Sequence, residues 1–423
     1  MLEKPKLFLT VKEFWLTMAL LSVLILVRLG FLYGEYSTFK IKPFYYTHVE
    51  VLKQYQKSKH NKNYTILRVH SDALNLDFFT RTYSQENLLN KQVRLKLFPN
   101  ESMKFFEYLG TSFINSRINR VEEKPLTFKF FLLEFIDKQH DNSIISSFYQ
   151  AIFFATPLEK ELREQVSKLG VSHLIALSGC HLAILSAVLF FLIRPFYRVV
   201  QQRYFPYRFD LVDIGLMVLA VLGVYVWFVD TPASLLRSYS MMVMGWFLLV
   251  MGVELLSFAF LATMVMFLLL IFPKMLVSLA FWFSVLGVFY IFLLLQRFNR
   301  LNGYLMTLII SFGIFVLMLP IVHVIFPITS TLQLYSPFLS LLFSFFYPFS
   351  ILLHLIGAGG FLDEWLLSLF RLEGESKNVP LFWWYGLGYL LLSLGAIYSR
   401  WLFYLLFMVA GGFMVTMFMG FMI

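Results

Sequence analysis

Long apolar stretches dominate the second half of the chain. From residue 171 onward they predict nine membrane spans, near residues 171–193, 209–229, 234–252, 255–272, 275–295, 304–320, 332–356, 381–399 and 402–420. A helix of ~20 residues crosses the ~30 Å hydrocarbon core of a bilayer. An earlier apolar run, residues 14–33, follows a lysine-containing head without a small-residue cleavage pattern, which is typical of an uncleaved signal anchor. The pattern therefore predicts a polytopic α-helical membrane protein with about ten transmembrane helices.

Between the anchor and the spans, apolar and polar residues alternate as they do in half-buried strands. Four strands are predicted, at residues 47–53, 64–70, 74–82 and 92–98, separated by polar linkers. Short strands in this order predict a small β-barrel or meander outside the membrane. Residues 101–155 instead have apolar positions at helical spacing, among them Phe105, Phe106, Leu109, Phe113 and Ile114.

A helix start is indicated at residues 156–159, where Thr-Pro-Leu-Glu places a hydroxyl at the N-cap and proline at the first helical position. We expect this amphipathic helix to lie along the membrane surface. Four segments result. They are a cytoplasmic head with the anchor helix (1–33), a β domain (34–98), interfacial helices (99–170) and a transmembrane domain (171–423).

The net charge of +10 is unevenly distributed. Residues 34–140 hold 17 of the 35 basic residues but 11 of the 25 acidic ones. With a cytoplasmic head, the short cytoplasmic loops carry 11 positive residues and the opposite short loops carry 2. This asymmetry obeys the positive-inside rule and predicts that the basic β domain is on the outer side. Cys180 is the only cysteine, which excludes an intrachain disulfide and a multi-cysteine metal site.

The span at 171–193 is unusually polar. It contains His173, Ser178, Gly179 and His181, and polar groups in hydrocarbon usually face a bundle interior or an aqueous path. Ser178 and His181 are three residues apart and are predicted to share a helix face. The alternative is that these groups only bond neighbouring helices.

A second polar motif, Asp-Thr-Pro-Ala-Ser-Leu-Leu-Arg-Ser, occupies residues 230–238. Thr231 is predicted to cap the helix, with Ser234 and Arg237 on one face. Arg237 is then a candidate anion contact at the outer mouth of a path, and Asp230 is a further candidate pathway residue. The alternative is that Arg237 extends its charged end to the interface or pairs with Asp230.

Other chemistry has little support in the sequence. His323 and His354 are isolated and are predicted to be satisfied internally. A Gly-rich phosphate loop is absent, and the eight histidines are dispersed rather than grouped with a carboxylate as metal ligands. We therefore expect no cofactor, no metal and no catalytic residue. A secondary transporter of a small anionic solute, and a membrane-embedded enzyme using His173, Ser178 and His181, stay open as alternatives.

Three ordered motifs resemble those of the ComEC-type competence proteins, which are inner-membrane DNA-uptake channels. Residues 169–181, Leu-Gly-Val-Ser-His-Leu-Ile-Ala-Leu-Ser-Gly-Cys-His, are similar to the family signature. Residues 232–238 resemble its Pro-Ser-Ala-Leu-Arg-Ala segment, and 273–287 resemble an Asn-Pro element followed by a Phe-Gln-Leu-Ser helix. Cys180 and Trp282 replace the usual Leu and Gln. The metallo-β-lactamase-like domain of many members has no counterpart here.

The resemblance implies a channel that passes single-stranded DNA across the cytoplasmic membrane during natural transformation. It also implies an OB-like periplasmic domain and pathway roles for His173, Ser178, Gly179, His181, Ser234 and Arg237. The expected partners are single-stranded DNA, a periplasmic DNA receptor, a cytoplasmic ATP-dependent translocase or helicase, and membrane lipid; a homo-oligomer is compatible with the sequence. In the outer domain, the candidate phosphate contacts are Lys57, Lys59, Lys62, Arg68 and Arg94. The alternative is a solvated basic surface without a ligand.

Overall fold

The protein is described from a computed structural model. It describes residues 7–59, 62–84, 86, 88, 91–122, 128–252 and 256–420, with the backbone alone at residues 57–59, 62 and 233. The chain divides into two compact units. The sheet unit comprises Phe8–Phe131 and Ala262–Phe281, and the helical unit comprises Leu132–Leu261 and Trp282–Ile423.

The sheet unit combines one long helix with six strands. Its elements are α1 (Val11–Ile41), β1 (Tyr45–Lys59), β2 (Lys62–Ser71), β3 (Leu76–Thr82), β4 (Gln92–Phe98), α2 (Phe105–Leu109), β5 (Thr111–Phe113) and β6 (Asn115–Glu122). A 3-10 turn, Pro273–Val277, belongs to the same unit. The strand order is β5-β3-β2-β1-β4-β6.

The four strands predicted from alternation are confirmed, with β1 and β2 extending into the polar linker as far as the pair Lys59 and Lys62. Alternate residues face a closed apolar core: Val49 and Val51 on β1 and Val93 and Leu95 on β4 are at most 1% exposed. The predicted closed barrel is wrong, because the outer strands β5 and β6 pair with β3 and β4 and not with each other. The result is a mixed sheet of six strands.

Two of the six strands lie in the stretch where a helix was predicted. Between residues 101 and 122 only Phe105–Leu109 is helical, and β5 and β6 follow it, whereas the later part of the stretch is helical as predicted, at residues 128–137 and 143–154. Ile114, predicted on an apolar helix face, is fully buried in the sheet core, and its N–H donates to Phe79 O at 2.8 Å. The aromatic spacing resembled a helix, but pairing with β3 and β4 satisfies this backbone instead.

The C-terminal end of α1 is part of the sheet core. Tyr36 and Phe39 are nearly buried among the strand residues, and the Tyr36 hydroxyl donates to Met103 O at 2.5 Å. At another point of this unit, Lys274 in the 3-10 turn donates through Nζ to the carbonyl of Asn75 in the β2–β3 connection. The anchor helix and the distant 3-10 turn are therefore structural parts of the sheet unit.

The helical unit contains most of the remaining helices and a short two-stranded ribbon. Its elements, of which α3, α10 and α11 continue across the division between the units, are α3 (Phe128–Asp137), α4 (Ser143–Phe154), α5 (Lys160–Lys168), α6 (Ser172–Ile175), α7 (Gly179–Tyr204), α8 (Asp210–Phe228), α9 (Ala233–Val250), α10 (Phe258–Ile271), α11 (Leu279–Arg297), α12 (Gly303–Ile325), β7 (Ile328–Ser330), α13 (Ser336–Leu355), α14 (Asp363–Phe370), β8 (Ser376–Asn378), α15 (Trp383–Gly395) and α16 (Arg400–Met419).

Seven helices in the described part of the chain are long and apolar enough to cross a membrane. They are α1, α7, α8, α11, α12, the segment Thr331–Leu355 that contains α13, and α16. Three of the ten predicted spans coincide instead with α9, α10 and α15, which fall outside this group. The protein is thus a membrane protein by the length and composition of its helices.

The helix predicted to start at Thr156 begins later, at Lys160, with Glu159 as its N-cap residue. Its predicted amphipathic character is confirmed. Leu162, Val166 and Leu169 are at most 2% exposed, in a core shared with α4, α13 and α14. This face therefore packs against protein.

A charged cross-strand contact joins β2 and β3 on the surface of the sheet unit. His70 Nδ1 and Asp77 Oδ1 are 2.5 Å apart, and Arg68 Nη2 lies 3.4 Å from Asp77 Oδ2. Donation to Asp77 raises the pKa of His70 above its ordinary 6.5. Burial alone would raise the pKa of Asp77, but the hydrogen bond and the positive charge of His70, with Arg68, outweigh it and hold this pKa below 3.8.

These two shifts define a pH window. Because the folded pKa of His70 is raised, its stabilisation is complete below pH 6.5 and is lost as the pH rises through the folded value. Because the folded pKa of Asp77 is lowered, its stabilisation is present above pH 3.8 and is lost as the pH falls through the folded value. The contact is therefore strongest between pH 3.8 and 6.5.

We expect Asp77→Asn to destabilise the β2–β3 pair by about 0.5 kcal/mol, since both side chains are about one-third exposed. Hydrogen exchange of the full chain, corrected for intrinsic rates, should show wild-type protection of β2 and β3 falling about two-fold from pH 5.5 to 8. The variant should lose this dependence, and Glu101→Gln, at an exposed site of the same unit, should keep it. If Asp77→Asn and the wild type had the same pH dependence of hydrogen exchange, the contact between His70 and Asp77 would not be its cause.

Candidate functional site

The polar span predicted at 171–193 is not one continuous helix. Helix α6 ends at Ile175 and α7 begins at Gly179, with extended backbone at Ser178 (φ −138°, ψ 179°). The carbonyl of Leu177 accepts a hydrogen bond of 2.7 Å from Ser234 Oγ on α9. The prediction of a single span is therefore wrong, and the break is stabilised by a side chain from the second polar motif.

Ser178 and His181 are close together, but as the N-cap and third residue of α7 rather than on one helix face. Ser178 N donates to His181 Nδ1 at 3.2 Å, so Nδ1 is an acceptor and the hydrogen of the neutral ring is on Nε2. The His181 ring is fully buried and lies edge-on to Phe343 and Tyr347. Within the described residues Nε2 forms no hydrogen bond of good geometry, although the His181 ring interacts with the Leu174 backbone.

Gly179 lies where α7 passes closest to α9. A Cβ at this position would be 3.2 Å from Ser238 Oγ and 3.4 Å from Ser238 Cβ. Ser238 Oγ itself donates to Ser234 O at 2.9 Å. Gly179, Ser234 and Ser238 thus form a small-residue contact that lets the two helices approach, as such residues commonly do in membranes.

The loop before α9 has an unusual backbone. Asp230 (φ 64°) and Thr231 (φ 45°) are both in the left-handed region, which costs a non-glycine residue of order 1 kcal/mol or more. The N-cap of α9 is Pro232, so the prediction of Thr231 as the cap is wrong. Asp230 is exposed, whereas Arg237 is 6% exposed and therefore does not extend its charge to the surface.

His173 lies beside this buried group, close enough for its charge to interact with that of His181. It lies exposed on α6, and its Nε2 is 3.4 Å from Ser340 Oγ on α13. Of the candidates in the helical unit, the structure thus brings together Ser178, Gly179, His181 and Ser234 at the α6–α7 break. His323, predicted to be satisfied internally, bonds Leu319 O and Thr329 Oγ1.

The candidates in the sheet unit separate into three groups. Arg68 forms an ion pair with Asp77, so its positive charge is already paired with a carboxylate of the protein. Arg94 is exposed on β4. Lys57, Lys59 and Lys62 belong to the β1–β2 hairpin, but their side chains lie outside the described part of the structure.

Arg94 is one member of a larger exposed surface on β1, β4 and β6. Strand pairing aligns His48 with Arg94 and Arg94 with Arg120 in one row, and Tyr46 with Lys96 and Lys96 with Arg117 in the next. Cross-strand partners project on the same face of a sheet. We name this surface the basic-aromatic face; it consists of Phe44, Tyr46, His48, Arg94, Lys96, Phe98, Arg117 and Arg120.

Cations and rings alternate within the basic-aromatic face. Lys96 Nζ is 4.0 Å from the centroid of the Phe44 ring and 5.5 Å from that of Tyr46. The Arg94 guanidinium is 5.7 Å from the Tyr46 centroid. Tyr46 is 51% exposed and Phe44 is 42% exposed, so ring surface is accessible beside the positive charges. Such a surface can bind phosphate and stack a planar group.

Most of this face was missed from the sequence. The alternation of Arg94 and Lys96 with buried Val93, Leu95 and Leu97 was a signal that both side chains share the solvent face of β4. Identifying their neighbours on β6 required the register of the strand pair, and β6 itself was not predicted.

We expect Gly179→Ala to destabilise the helical unit by about 1 kcal/mol or more, because the added methyl forces α7 away from Ser238. Thermal unfolding of the purified full chain in detergent measures this as a lower Tm. Gly287→Ala is the matched control, since a Cβ there meets no atom of the described residues within 4 Å. If both substitutions lowered the Tm equally, the close approach of α7 to α9 would not be what determines the stability of the helical unit.

Comparison with known proteins gives a match to a family model. The model, described as Competence protein, matches residues 155–422, which is more than half of the chain and includes α6, α7 and α9. No curated protein and no solved structure matches the chain. The match confirms the resemblance carried by residues 169–181 and 232–238. The chain therefore belongs to the competence protein family, of the ComEC type, whose role at family level is in DNA uptake.

Proposed function

We propose that the protein is a transport component that carries single-stranded DNA across the cytoplasmic membrane during natural transformation. The observation that carries this proposal is the basic-aromatic face, because it pairs phosphate-binding cations with exposed rings. Family membership supports DNA as the anionic polymer that this face binds. A channel role, as distinct from an enzymatic one, is part of the proposal.

The chemistry of the face suits a single strand better than a duplex. Bases of a single strand are free to stack on Tyr46 and Phe44, and each such stack contributes ~1–3 kcal/mol. Arg94, Lys96 and Arg117 are the cations that meet the phosphates, since Arg120 Nε lies 3.3 Å from Glu122 Oε1 and is paired with that carboxylate. The bases of a duplex are already stacked on each other, so binding of a duplex to the face would gain only the electrostatic contribution of the cations.

In the helical unit, the α6–α7 break supports a pathway role. Non-helical backbone at membrane depth is tolerated where it is buried in protein or lines an aqueous cavity. Buried Arg237 and His181 belong to the same polar elements, and ionisable groups within membrane segments usually mark an ion or substrate path. We infer that the segment 171–181 and the start of α9 border the path.

Inward movement of DNA needs an energy source other than the membrane potential. Moving one negative charge inward against an inside-negative potential costs ~2.3 kcal/mol per 100 mV, and each nucleotide carries one such charge. We therefore propose a cytoplasmic ATP-dependent translocase as a partner and a periplasmic receptor that delivers the strand. The 11 to 2 distribution of positive residues supports a cytoplasmic N-terminus, a periplasmic sheet and a location in the inner membrane.

Binding of single-stranded DNA by the face is testable with labelled oligo-dT and the purified full chain, measured by anisotropy over a range of salt. Replacing both Arg94 and Lys96 by Gln should weaken binding and reduce the salt slope by about 1.4, since each phosphate contact contributes ~0.7 for single strands. Arg81→Gln is the control, because Arg81 is exposed on β3 and also lies over a ring, that of Tyr83. Unchanged slope in the double variant would remove the face from the proposal.

Transport itself is tested in cells by following labelled DNA separately into the periplasm and the cytoplasm. Deletion of the gene should abolish cytoplasmic arrival and leave periplasmic uptake in place. Arg237→Gln should reduce cytoplasmic arrival by at least about tenfold while the protein stays in the membrane, since ~1.4 kcal/mol corresponds to a factor of ten. Arg300→Gln, at an exposed site, should be neutral. Normal cytoplasmic arrival after deletion would refute the channel function.

A further inference from the structure

Three ionisable side chains far apart in the sequence meet inside the helical unit. His140 is in the turn between α3 and α4, His354 is near the end of α13, and Asp363 begins α14. His140 Nδ1 lies 2.9 and 3.0 Å from the two Asp363 carboxylate oxygens, and His140 Nε2 lies 2.9 Å from His354 Nε2. His354 Nδ1 is 2.7 Å from Ser350 O. We call these three residues the proton-sharing triad.

Each of these contacts needs one hydrogen between its two heavy atoms. Ser350 O only accepts, so His354 Nδ1 carries a hydrogen. One hydrogen lies between Asp363 and His140 Nδ1, and another lies between the two Nε2 atoms. An ionised carboxylate with two neutral imidazoles holds only one hydrogen per ring. The contacts therefore require one proton more than these ordinary neutral-pH forms supply.

With the additional proton, the triad has no net charge. An imidazolium at His140 faces the Asp363 carboxylate on one side and donates to neutral His354 on the other. The side chain of His140 is wholly buried, that of Asp363 is 16% exposed, and His354 is 5% exposed. A buried group of zero net charge is far less costly than the same group carrying an uncompensated negative charge.

The surroundings of the triad are aromatic. From α4, the Tyr149 ring stacks on His140 at 4.7 Å between centroids and lies edge-on to His354. The Tyr149 hydroxyl is buried without a hydrogen-bond partner among the described residues. From α3, the nearest carboxylate in sequence, Asp137, accepts from Ser146 Oγ. The titratable groups that face the triad are thus Tyr149 and the triad's own members.

The arrangement fits a proton and not a metal ion. The two Nε2 atoms are already within direct hydrogen-bond distance, which leaves no room for an ion between them. Asp363 contacts the opposite nitrogen of the His140 ring. Among the described residues, no group of three His, Cys, Asp or Glu side chains is placed to hold a metal.

The triad also holds two parts of the helical unit together. Gln139, next to His140, accepts from Gly359 N at 2.9 Å and donates to His354 O at 3.2 Å. If the additional proton leaves, two acceptor nitrogens face each other at 2.9 Å and repel. We infer that His140, His354 and Asp363 form a buried proton-binding site whose occupancy keeps the α3–α4 turn docked on the ends of α13 and α14.

The protonation state is measured directly by ¹⁵N NMR of the full chain labelled at histidine, with the two signals assigned by their loss in His140→Asn and His354→Asn. At pH 7 we expect one of the two rings to have both nitrogens protonated and the other to have one. Two singly protonated rings at pH 6 to 7 would overturn the inference. This measurement needs only the wild-type spectrum once the signals are assigned.

A charge variant provides the second test. Asp363→Asn removes the negative charge that stabilises the proton, so the doubly protonated signal should disappear at a lower pH than in the wild type. Asp141→Asn makes the same chemical change at an exposed site next to His140 and should leave that pH unchanged. Equal midpoints in the two variants would overturn the inference. So would a shift of both signals on adding zinc, which would assign the site to a metal.

Discussion

The helical unit depends on satisfying backbone polar groups where water is scarce. A helix interrupted within a membrane exposes carbonyl and amide groups, each costing several kcal/mol if left without a partner. At the α6–α7 break, the Ser234 hydroxyl bonds the Leu177 carbonyl and the His181 ring accepts from the Ser178 amide. The two polar motifs are therefore one structure, in which a motif on α9 completes the break in the other. Gly179 is small because the two helices must be close enough for this bond to form.

The two units differ in where they place their charged side chains. On the sheet surface, Arg94 and Arg117 of the basic-aromatic face are exposed and Lys96 is half-buried, so their charges stay in contact with water. Inside the helical unit, the buried His140 contacts the Asp363 carboxylate at 2.9 Å, in the inferred proton-binding site. The first arrangement leaves positive charge available to an external anion, and the second makes the interior sensitive to a single proton.

Local patterns predicted the elements whose stabilisation is local. Alternation located β1 to β4, and apolar length located the seven long helices. Prediction from local pattern failed at β5 and β6, where the aromatic spacing resembled that of a helix but pairing with neighbouring strands determined the backbone conformation. It failed again at residues 176–178, since the partner that stabilises the break, Ser234, is 57 residues from Leu177. The contact between His140 and His354 spans 214 residues, and no local pattern indicates it.

The contact of Lys274 with Asn75 has a consequence for biosynthesis. These residues are 199 positions apart, and both belong to the sheet unit. The strands are all made early, but the 3-10 turn that completes their unit leaves the ribosome only after α7 to α10 have been synthesised. At ~5–20 residues per second, the sheet waits roughly 10 to 40 seconds for its last segment. During this interval the strands are complete but the sheet unit still lacks the segment that bonds the β2–β3 connection, so its folding cannot finish until the transmembrane helices before residue 274 have been made.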